Sequence, residues 1–168
     1  MFYSTKTFGN DRGLSCVFRQ WAADTHCHLL HGYSLGFKFI FGAERLDHRN
    51  WVIDFGKGGF GEIKKWLEYM FDHTLLVSVD DPLRQDLENL GKLGLADVRI
   101  VEGSGCEMTA KMVFEKANEI IQRQTKGRCW VVSVEVCEHG SNSAVYVNPD
   151  KHDLEQQVER LTKQVESE

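Results

Sequence analysis

The stretch from Tyr33 to Gly42 alternates between large apolar side chains and side chains that are small or polar except at Ile40, and this alternation limits the possible folds more than any other feature. Successive side chains of a strand point to opposite faces, so the pattern predicts a strand with one dry face. A sheet covered on one side is therefore expected. The residues of the dry face share one parity: Tyr33, Leu35, Phe37, Phe39 and Phe41.

Two amphipathic helices are predicted to cover that sheet, because apolar residues recur three and four positions apart in two later segments. The first helix ends near Phe71, and the second lies between Gly105 and Gly127. Residues 129–138 have the most strand-like composition in the chain, and a glycine-containing turn joins them to residues 144–148, which predicts a hairpin. The apolar stripes of the two helices are Phe60, Ile63, Trp66, Leu67 and Met70, and Ala110, Val113, Phe114, Ala117, Ile120 and Ile121.

The order of elements favours the α+β class. A first strand is predicted over residues 14–23, and residues 78–98 are predicted to connect the two helices with one short helical turn, before a brief strand, Val98–Val101. The resulting order, ββααββ, indicates a four-stranded antiparallel sheet with two helices on one face rather than a parallel doubly wound sheet. Residues 1–149 are predicted to form one domain, and residues 150–168 a C-terminal helical tail with an apolar stripe.

Composition excludes several classes of protein. The 168 residues contain 20 Lys and Arg against 25 Asp and Glu, a net charge of -5, which argues against nucleic acid as the main partner. No segment reaches the roughly 20 apolar residues that a membrane span needs. Five cysteines at irregular spacing argue against a disulfide framework. We therefore expect a soluble cytoplasmic protein that binds neither nucleic acid nor membranes.

The densest group of reactive side chains lies between Asp24 and Tyr33. This segment holds three of the seven histidines, His26, His28 and His31, together with Cys27. Imidazole, thiolate and carboxylate are ordinary zinc ligands, and His26 and His28 share one parity if the segment is extended. The alternative is a solvent-facing loop whose histidines make local hydrogen bonds, and the spacing does not decide between the two.

Three further acidic positions are candidates for chemistry. Asp72 and His73 follow the first helix directly, and a carboxylate beside an imidazole can orient a proton-transfer group. The alternative is structural, because a histidine at a helix C-terminus interacts favourably with the helix dipole. Glu138 ends the strongest strand, where it could accept hydrogen bonds from the N–H groups of a flat heterocycle. Glu107 could act in the same way, and either glutamate could instead be an exposed acid or part of a helix N-terminal cap.

Five short motifs follow one another in this order. They are Cys27 four positions before His31-Gly32-Tyr33, Asp54-Phe55 before the first helix, Asp72-His73 after it, Cys106-Glu107 near the start of the second, and Glu138 followed by Ala144-Val145-Tyr146. Over residues 14–147 this order resembles the 6-pyruvoyl-tetrahydropterin synthase and 6-carboxy-tetrahydropterin synthase family.

The resemblance implies the tunnelling fold, assembly into homo-trimers or homo-hexamers, and sites at subunit boundaries. It implies a lyase that acts on 7,8-dihydroneopterin triphosphate with a zinc ion held by histidines. Matched position by position, Cys27 is the proton-transfer residue, with Asp72 and His73 as its relay. Glu138 anchors the pterin ring, Glu107 is a second ring contact, and His31 is a metal ligand.

The metal motif departs from the family pattern. Tyr33 stands where the second histidine of His-Gly-His is expected, and a neutral phenol is a poor zinc ligand at pH 7. The remaining family histidine follows an Ala-Ala pair, but here Asp24 follows Ala22-Ala23. A rebuilt site from Asp24, His26 or His28, and His31 is one reading, and a metal-free site is the other.

Two hypotheses about function follow. The first is a pterin synthase-like lyase, of the branch that forms 6-carboxy-tetrahydropterin for a deazapurine such as queuosine, a branch that the chain resembles in length. The second is a non-catalytic or metal-free oligomeric module that binds a pterin or purine, favoured by Tyr33. Another reaction on related pterins is a weaker third reading. Phosphate-binding residues cannot be chosen among Arg19, Lys38, Lys57 and Lys64.

Overall fold

The computed structural model describes residues 1–151 and contains eight strands and three helices within that range. The main sheet is antiparallel, with the strand order β1-β4-β7-β8. Its strands are β1 (Phe2–Phe8), β4 (Gly36–Ala43), β7 (Cys129–His139) and β8 (Asn142–Val147). The four-stranded antiparallel sheet and the hairpin predicted from the sequence are therefore confirmed, but the fourth strand is the unpredicted β1, and the strand predicted over residues 14–23 lies in a second sheet.

A second, smaller sheet has the order β3-β2-β5-β6. Its strands are β2 (Ser15–Phe18), β3 (His31–Ser34), β5 (Thr74–Ser78) and β6 (Asp97–Val101). β2 pairs with β3 in antiparallel fashion, whereas the β2–β5 and β5–β6 pairs are parallel. This mixed sheet is absent from the order ββααββ predicted from the sequence.

The helices α1 (Phe60–Phe71) and α3 (Cys106–Thr125) pack against the main sheet, as predicted. Phe37 of β4 contacts Phe71 at a ring-centroid distance of 5.0 Å, and Phe114 of α3 contacts Tyr146 of β8 at 5.0 Å. The predicted dry face is correct from Leu35 to Phe41, where its large side chains are at most 1% exposed.

Of the helices in residues 1–151, none has the length and apolarity that crossing a bilayer requires.

The segment around Leu35 changes sheets, which the alternation in the sequence does not reveal. The predicted single strand is divided into β3 and β4, and the N–H of Leu35 between them donates to the carbonyl of Leu14 at 3.0 Å. Gly36 begins β4 next to Asn10, and a Cβ there would lie 2.9 Å from the Asn10 Oδ1. The missing side chain therefore lets the Asn10 amide sit between the two sheets.

Other predicted boundaries are wrong. The strand predicted over residues 14–23 ends at Phe18, because the chain turns there towards the histidine-bearing loop. The single helical turn predicted within residues 78–98 is a nine-residue helix, α2 (Arg84–Lys92). β5 is short and buried at every position, so it has no alternation to mark it. The predicted C-terminal helical tail, residues 150–168, lies almost entirely outside the described residues.

Candidate active site

Cys27 lies on a short 3-10 turn, His26–His28, between β2 and β3. The hydroxyl of Thr25 accepts a hydrogen bond from the Cys27 N–H at 3.4 Å, and the Cys27 carbonyl accepts one from the Gln20 N–H at 2.9 Å. The Cys27 side chain is half-buried. These backbone contacts fix the turn, so the thiol sits at a defined point beside β3.

Tyr33 forms the centre of the site. Its half-buried ring contacts those of Phe18, His31 and His139 at centroid distances of 6.1, 5.7 and 5.9 Å. Burial raises the pKa of Tyr33, and the nearby acidic groups of Glu138, Cys27 and Cys106 raise it further. The phenol is therefore neutral near pH 7 and can donate a hydrogen bond to a ligand.

Cys106 joins this group from the first turn of α3. Burial raises the pKa of its thiol to about 12, and the neighbouring carboxylates of Glu138 and Glu107 add to the effect, Glu138 also by a hydrogen bond with the thiol. Cys106 is thus a neutral, buried side chain that contacts the half-buried Glu138. Cys106 was predicted only as part of a motif and without a role, although it is a direct neighbour of the predicted ring anchor Glu138.

Asn10 is a second residue that sequence reasoning missed. Its Nδ2 donates to the carbonyls of Ser34, Cys137 and Glu138 at 2.7, 3.1 and 3.3 Å. The Ser34 hydroxyl in turn donates to the Asn10 carbonyl at 2.6 Å. One side chain thus joins the end of β3 to the end of β7, which brings Tyr33 and Glu138 together. The contacts cross 24 to 128 positions in sequence, so no local pattern signals them.

The Asp72-His73 pair is formed but lies elsewhere on the small sheet. The His73 Nδ1 is 2.6 Å from the Asp72 Oδ1, and the two side chains are 86% and 48% exposed. The His73 N–H donates to the carbonyl of Ser15, whereas His31 pairs with Phe18 at the other end of β2. At roughly 3.3 Å per residue, that separation is about 10 Å along the strand. Within one chain, the Asp72-His73 pair therefore lies apart from the turn that carries Cys27.

Three of the predicted metal ligands, Asp24, His26 and His28, lie on the loop before β3, and the fourth, His31, begins β3. One detail of that loop opposes the predicted arrangement. His26 and His28 lie in a 3-10 turn instead of an extended segment. Side chains two positions apart in such a turn differ in direction by about 240°, so the prediction that these two histidines point to the same side is wrong. The ring nitrogens Nδ1 of His28 and His31 contact the carbonyls of Thr25 and Leu29 at 2.6 and 2.7 Å. These are the local hydrogen bonds of the alternative interpretation, but they occupy only Nδ1 and leave the Nε2 of both rings available to a metal ion.

Within residues 1–151, no group of three or more His, Cys, Asp and Glu side chains lies close enough to hold a metal ion. Asp24 is exposed on the same loop. The described residues of one chain therefore do not fit a three-ligand zinc centre. Zinc and its ligands Asp24, His26, His28 and His31 stay predictions.

Most of the candidate phosphate-binding cations are already paired with acids. Arg19 forms an ion pair with Asp81 at 2.7 Å. Lys38 lies 3.9 Å from Glu135, and Lys64 lies 3.6 Å from Glu68, but both lysines are about half exposed. Exposed pairs of this kind exchange readily with solvent, so only the Arg19 pair removes its cation from phosphate binding.

The fold and the site point to one family. An antiparallel sheet backed by two helices places Cys27 and Glu138 near Tyr33, where the main sheet and the small sheet adjoin. A family profile described as 6-pyruvoyl tetrahydropterin synthase matches residues 10–149. The chain belongs to this family.

Curated relatives agree with the family over a shorter segment. A 6-carboxy-5,6,7,8-tetrahydropterin synthase from Rickettsia felis is 35% identical over 65 residues, and one from Rickettsia conorii gives the same figures. The aligned segment covers 38% of this chain and spans 46% of the length of these relatives.

Solved structures agree with the fold over most of the chain. An uncharacterized Wolinella succinogenes protein, WS1659, has a TM-score of 0.70 at 20% identity, covering 88% of this chain and 98% of that one. The Plasmodium falciparum 6-pyruvoyl tetrahydropterin synthase has a TM-score of 0.61 at 13% identity, covering 87% and 98%. The predicted tunnelling fold of the α+β class is thereby confirmed.

Proposed function

We propose that the chain is a lyase that converts 7,8-dihydroneopterin triphosphate, forming 6-carboxy-tetrahydropterin on the route to a deazapurine such as queuosine. The observation that carries the proposal is that Asn10 joins the strand end at Glu138 to the residue after Tyr33, with Cys27 and Glu138 close enough to raise the pKa of Tyr33, in a chain of the tetrahydropterin synthase family. The carboxy-forming reaction is favoured by the names of the two curated relatives.

The chemistry of the three groups suits a pterin. The Glu138 carboxylate accepts hydrogen bonds from the N–H groups of the ring, and charge-assisted bonds of this kind are the stronger ones. The Cys27 thiolate, after giving its own proton to the Asp72-His73 relay, takes up the proton that leaves a carbon of the side chain and returns it as the thiol. The neutral Tyr33 phenol donates a hydrogen bond to a side-chain oxygen, where it stabilises developing negative charge.

The Asp72-His73 relay is proposed to act on Cys27 of a second copy of the chain. Both side chains are largely exposed, and the pair lies at the opposite end of β2 from the turn, so a neighbouring subunit can bring it to the thiol. A homo-trimer or homo-hexamer supplies such neighbours. Sedimentation analysis beside turnover tests this: a fully active monomer would exclude the arrangement.

The Glu138→Gln variant tests the ring anchor. We expect binding of 7,8-dihydroneopterin to weaken about 10- to 100-fold, because a hydrogen bond to a charged group contributes about 1.5–3 kcal/mol. Titration calorimetry measures the dissociation constant. The matched control is Glu135→Gln on the same strand, where the carboxylate accepts from Ser143 at 2.8 Å, and its binding should match the wild type. Equal affinity of Glu138→Gln and wild type would contradict the anchor.

The direct test of the reaction is incubation with 7,8-dihydroneopterin triphosphate, with products separated by chromatography and identified by mass. We expect the 6-carboxy product. A 6-pyruvoyl product would move the chain to the other reaction of the family. Absence of any product would contradict the lyase.

The second candidate is a non-catalytic or metal-free pterin-binding module. It is favoured by Tyr33 at the expected histidine position and by the lack of a three-ligand cluster within residues 1–151. Calorimetry showing pterin binding without turnover would support it. Metal analysis of protein purified without chelator addresses zinc: one zinc per chain that His31→Ala removes supports the predicted centre, and zinc that survives this substitution contradicts His31 as a ligand.

A further inference from the structure

We propose that Arg19 and Asp81 form a positioning pair that holds the turn carrying Cys27 in its place beside Tyr33. The inference deepens the proposed function and rests on it for the role of the thiol. Neither residue is among the predicted catalytic, ring-binding or metal-binding positions, and sequence reasoning treated Arg19 only as a candidate phosphate ligand.

The pair is two-pronged and buried. The Arg19 Nε donates to the Asp81 Oδ2 at 2.7 Å, and the Nη2 donates to the Oδ1 at 2.7 Å. The Asp81 side chain is 1% exposed and that of Arg19 is 15% exposed. The Oδ1 also accepts from the Leu83 N–H at 2.8 Å, so the carboxylate is fixed to the backbone that follows β5. The hydrogen bond from Arg19 lowers the pKa of Asp81, so the carboxylate stays charged near pH 7.

The third donor of the guanidinium reaches the turn. The Arg19 Nη1 donates to the His28 carbonyl at 3.3 Å, and the next residue, Gln20, donates its N–H to the Cys27 carbonyl at 2.9 Å. Two consecutive residues therefore hold two consecutive carbonyls of the turn. The Ser104 hydroxyl donates to the Arg19 carbonyl at 2.5 Å, which fixes the backbone of Arg19 beside the start of α3.

The neighbouring acid holds the first part of the same loop. The Trp21 indole N–H donates to the Asp80 Oδ1 at 3.2 Å, and that oxygen also accepts from the Ser78 hydroxyl at 2.5 Å. Beyond Trp21 the loop offers little else, because most residues from 22 to 30 are exposed. Segments with few buried contacts open locally at low free energy, so these polar contacts decide where the thiol lies.

The test is Asp81→Asn, which keeps an oxygen for the Leu83 N–H and removes the charge that orients Arg19. The readout is the rate of alkylation by iodoacetamide, resolved by mass spectrometry for Cys27 and for Cys137, the other half-buried cysteine. We expect alkylation of Cys27 to rise about tenfold, since a charge-assisted hydrogen bond is lost, and that of Cys137 to stay unchanged. We expect kcat to fall with KM within about twofold, because Glu138 still binds the ring.

The matched control is Asp97→Asn, which removes another two-pronged pair, Arg99 with Asp97 at 2.5 and 2.8 Å, on β6. Alkylation of Cys27 in this variant should equal that of the wild type. Equal rates in Asp81→Asn and wild type would overturn the proposal, as would an equal increase in both variants, which indicates general loosening.

Two further measurements separate the possible failures. If Asp81→Asn does not fold, Arg19→Lys is the second variant. It keeps the positive charge facing Asp81 but loses the guanidinium that bridges Asp81 and the His28 carbonyl, so we expect the same increase in the alkylation rate of Cys27. If the wild type shows no turnover while alkylation of Cys27 rises as stated, the lyase is contradicted and the positioning pair is supported. If the wild type turns over substrate while alkylation stays unchanged in the variants, the lyase is supported and the positioning pair is contradicted.

Discussion

Replacing Cys27 with alanine is expected to lower the turnover of 7,8-dihydroneopterin triphosphate by about 10²- to 10⁴-fold, the usual contribution of a positioned proton-transfer group. The Cys27 N–H donates to the Thr25 hydroxyl and the Cys27 carbonyl accepts from the Gln20 N–H, and alanine preserves both backbone groups. The half-buried thiol makes no large contribution to the core. Binding of the pterin and the circular dichroism spectrum should therefore match those of the wild type.

The control for this prediction is Cys137→Ala. Cys137 is also half-buried and lies one residue from Glu138, but it pairs with Gly36 and Ser143 in the main sheet. Turnover of this variant should stay within about twofold of the wild type, since no transition-state contact is removed. Undiminished turnover in Cys27→Ala would remove Cys27 from the mechanism while leaving the family assignment intact.

Replacing Phe39 with alanine is expected to reduce the free energy of unfolding by about 3–5 kcal/mol, the range for truncating a buried aromatic residue. Phe39 is 0% exposed at the centre of the main sheet. Its ring stacks on Phe41 at 5.9 Å and meets the edge of Phe60 on α1 at 5.2 Å. The truncation leaves a cavity between sheet and helix that neither element can close without moving. Urea unfolding at a fixed chain concentration measures the loss.

The companion variant is Leu95→Ala. Leu95 is 72% exposed between α2 and β6, so its truncation should change the free energy of unfolding by less than about 0.5 kcal/mol. A loss below about 1 kcal/mol for Phe39→Ala would show that the core repacks around the gap, contrary to the close packing expected of protein interiors.

Local patterns were sufficient for the elements that face solvent on one side. The amphipathic stripe predicts α1 with its end at Phe71, and the alternation predicts the buried parity of β4. β1 escaped prediction because it is an edge strand in which Phe8 alone is fully buried. β5 escaped because burial at every position erases the period of two. Both strands were missed for the same reason, because a two-residue alternation of apolar and polar residues arises only where the two faces of a strand differ in burial.

The sequence by itself determined the class of the fold and the residue types of the site, because periodicity and side-chain chemistry are local properties. It placed Cys27 and Glu138 among the candidates through the order of motifs. Only the tertiary structure decided that both lie near Tyr33, that Asp72 and His73 lie apart from Cys27, and that Arg19 pairs with Asp81. These placements depend on residues far apart in the chain, so they are fixed only when the strands pair within each sheet and the two sheets come together.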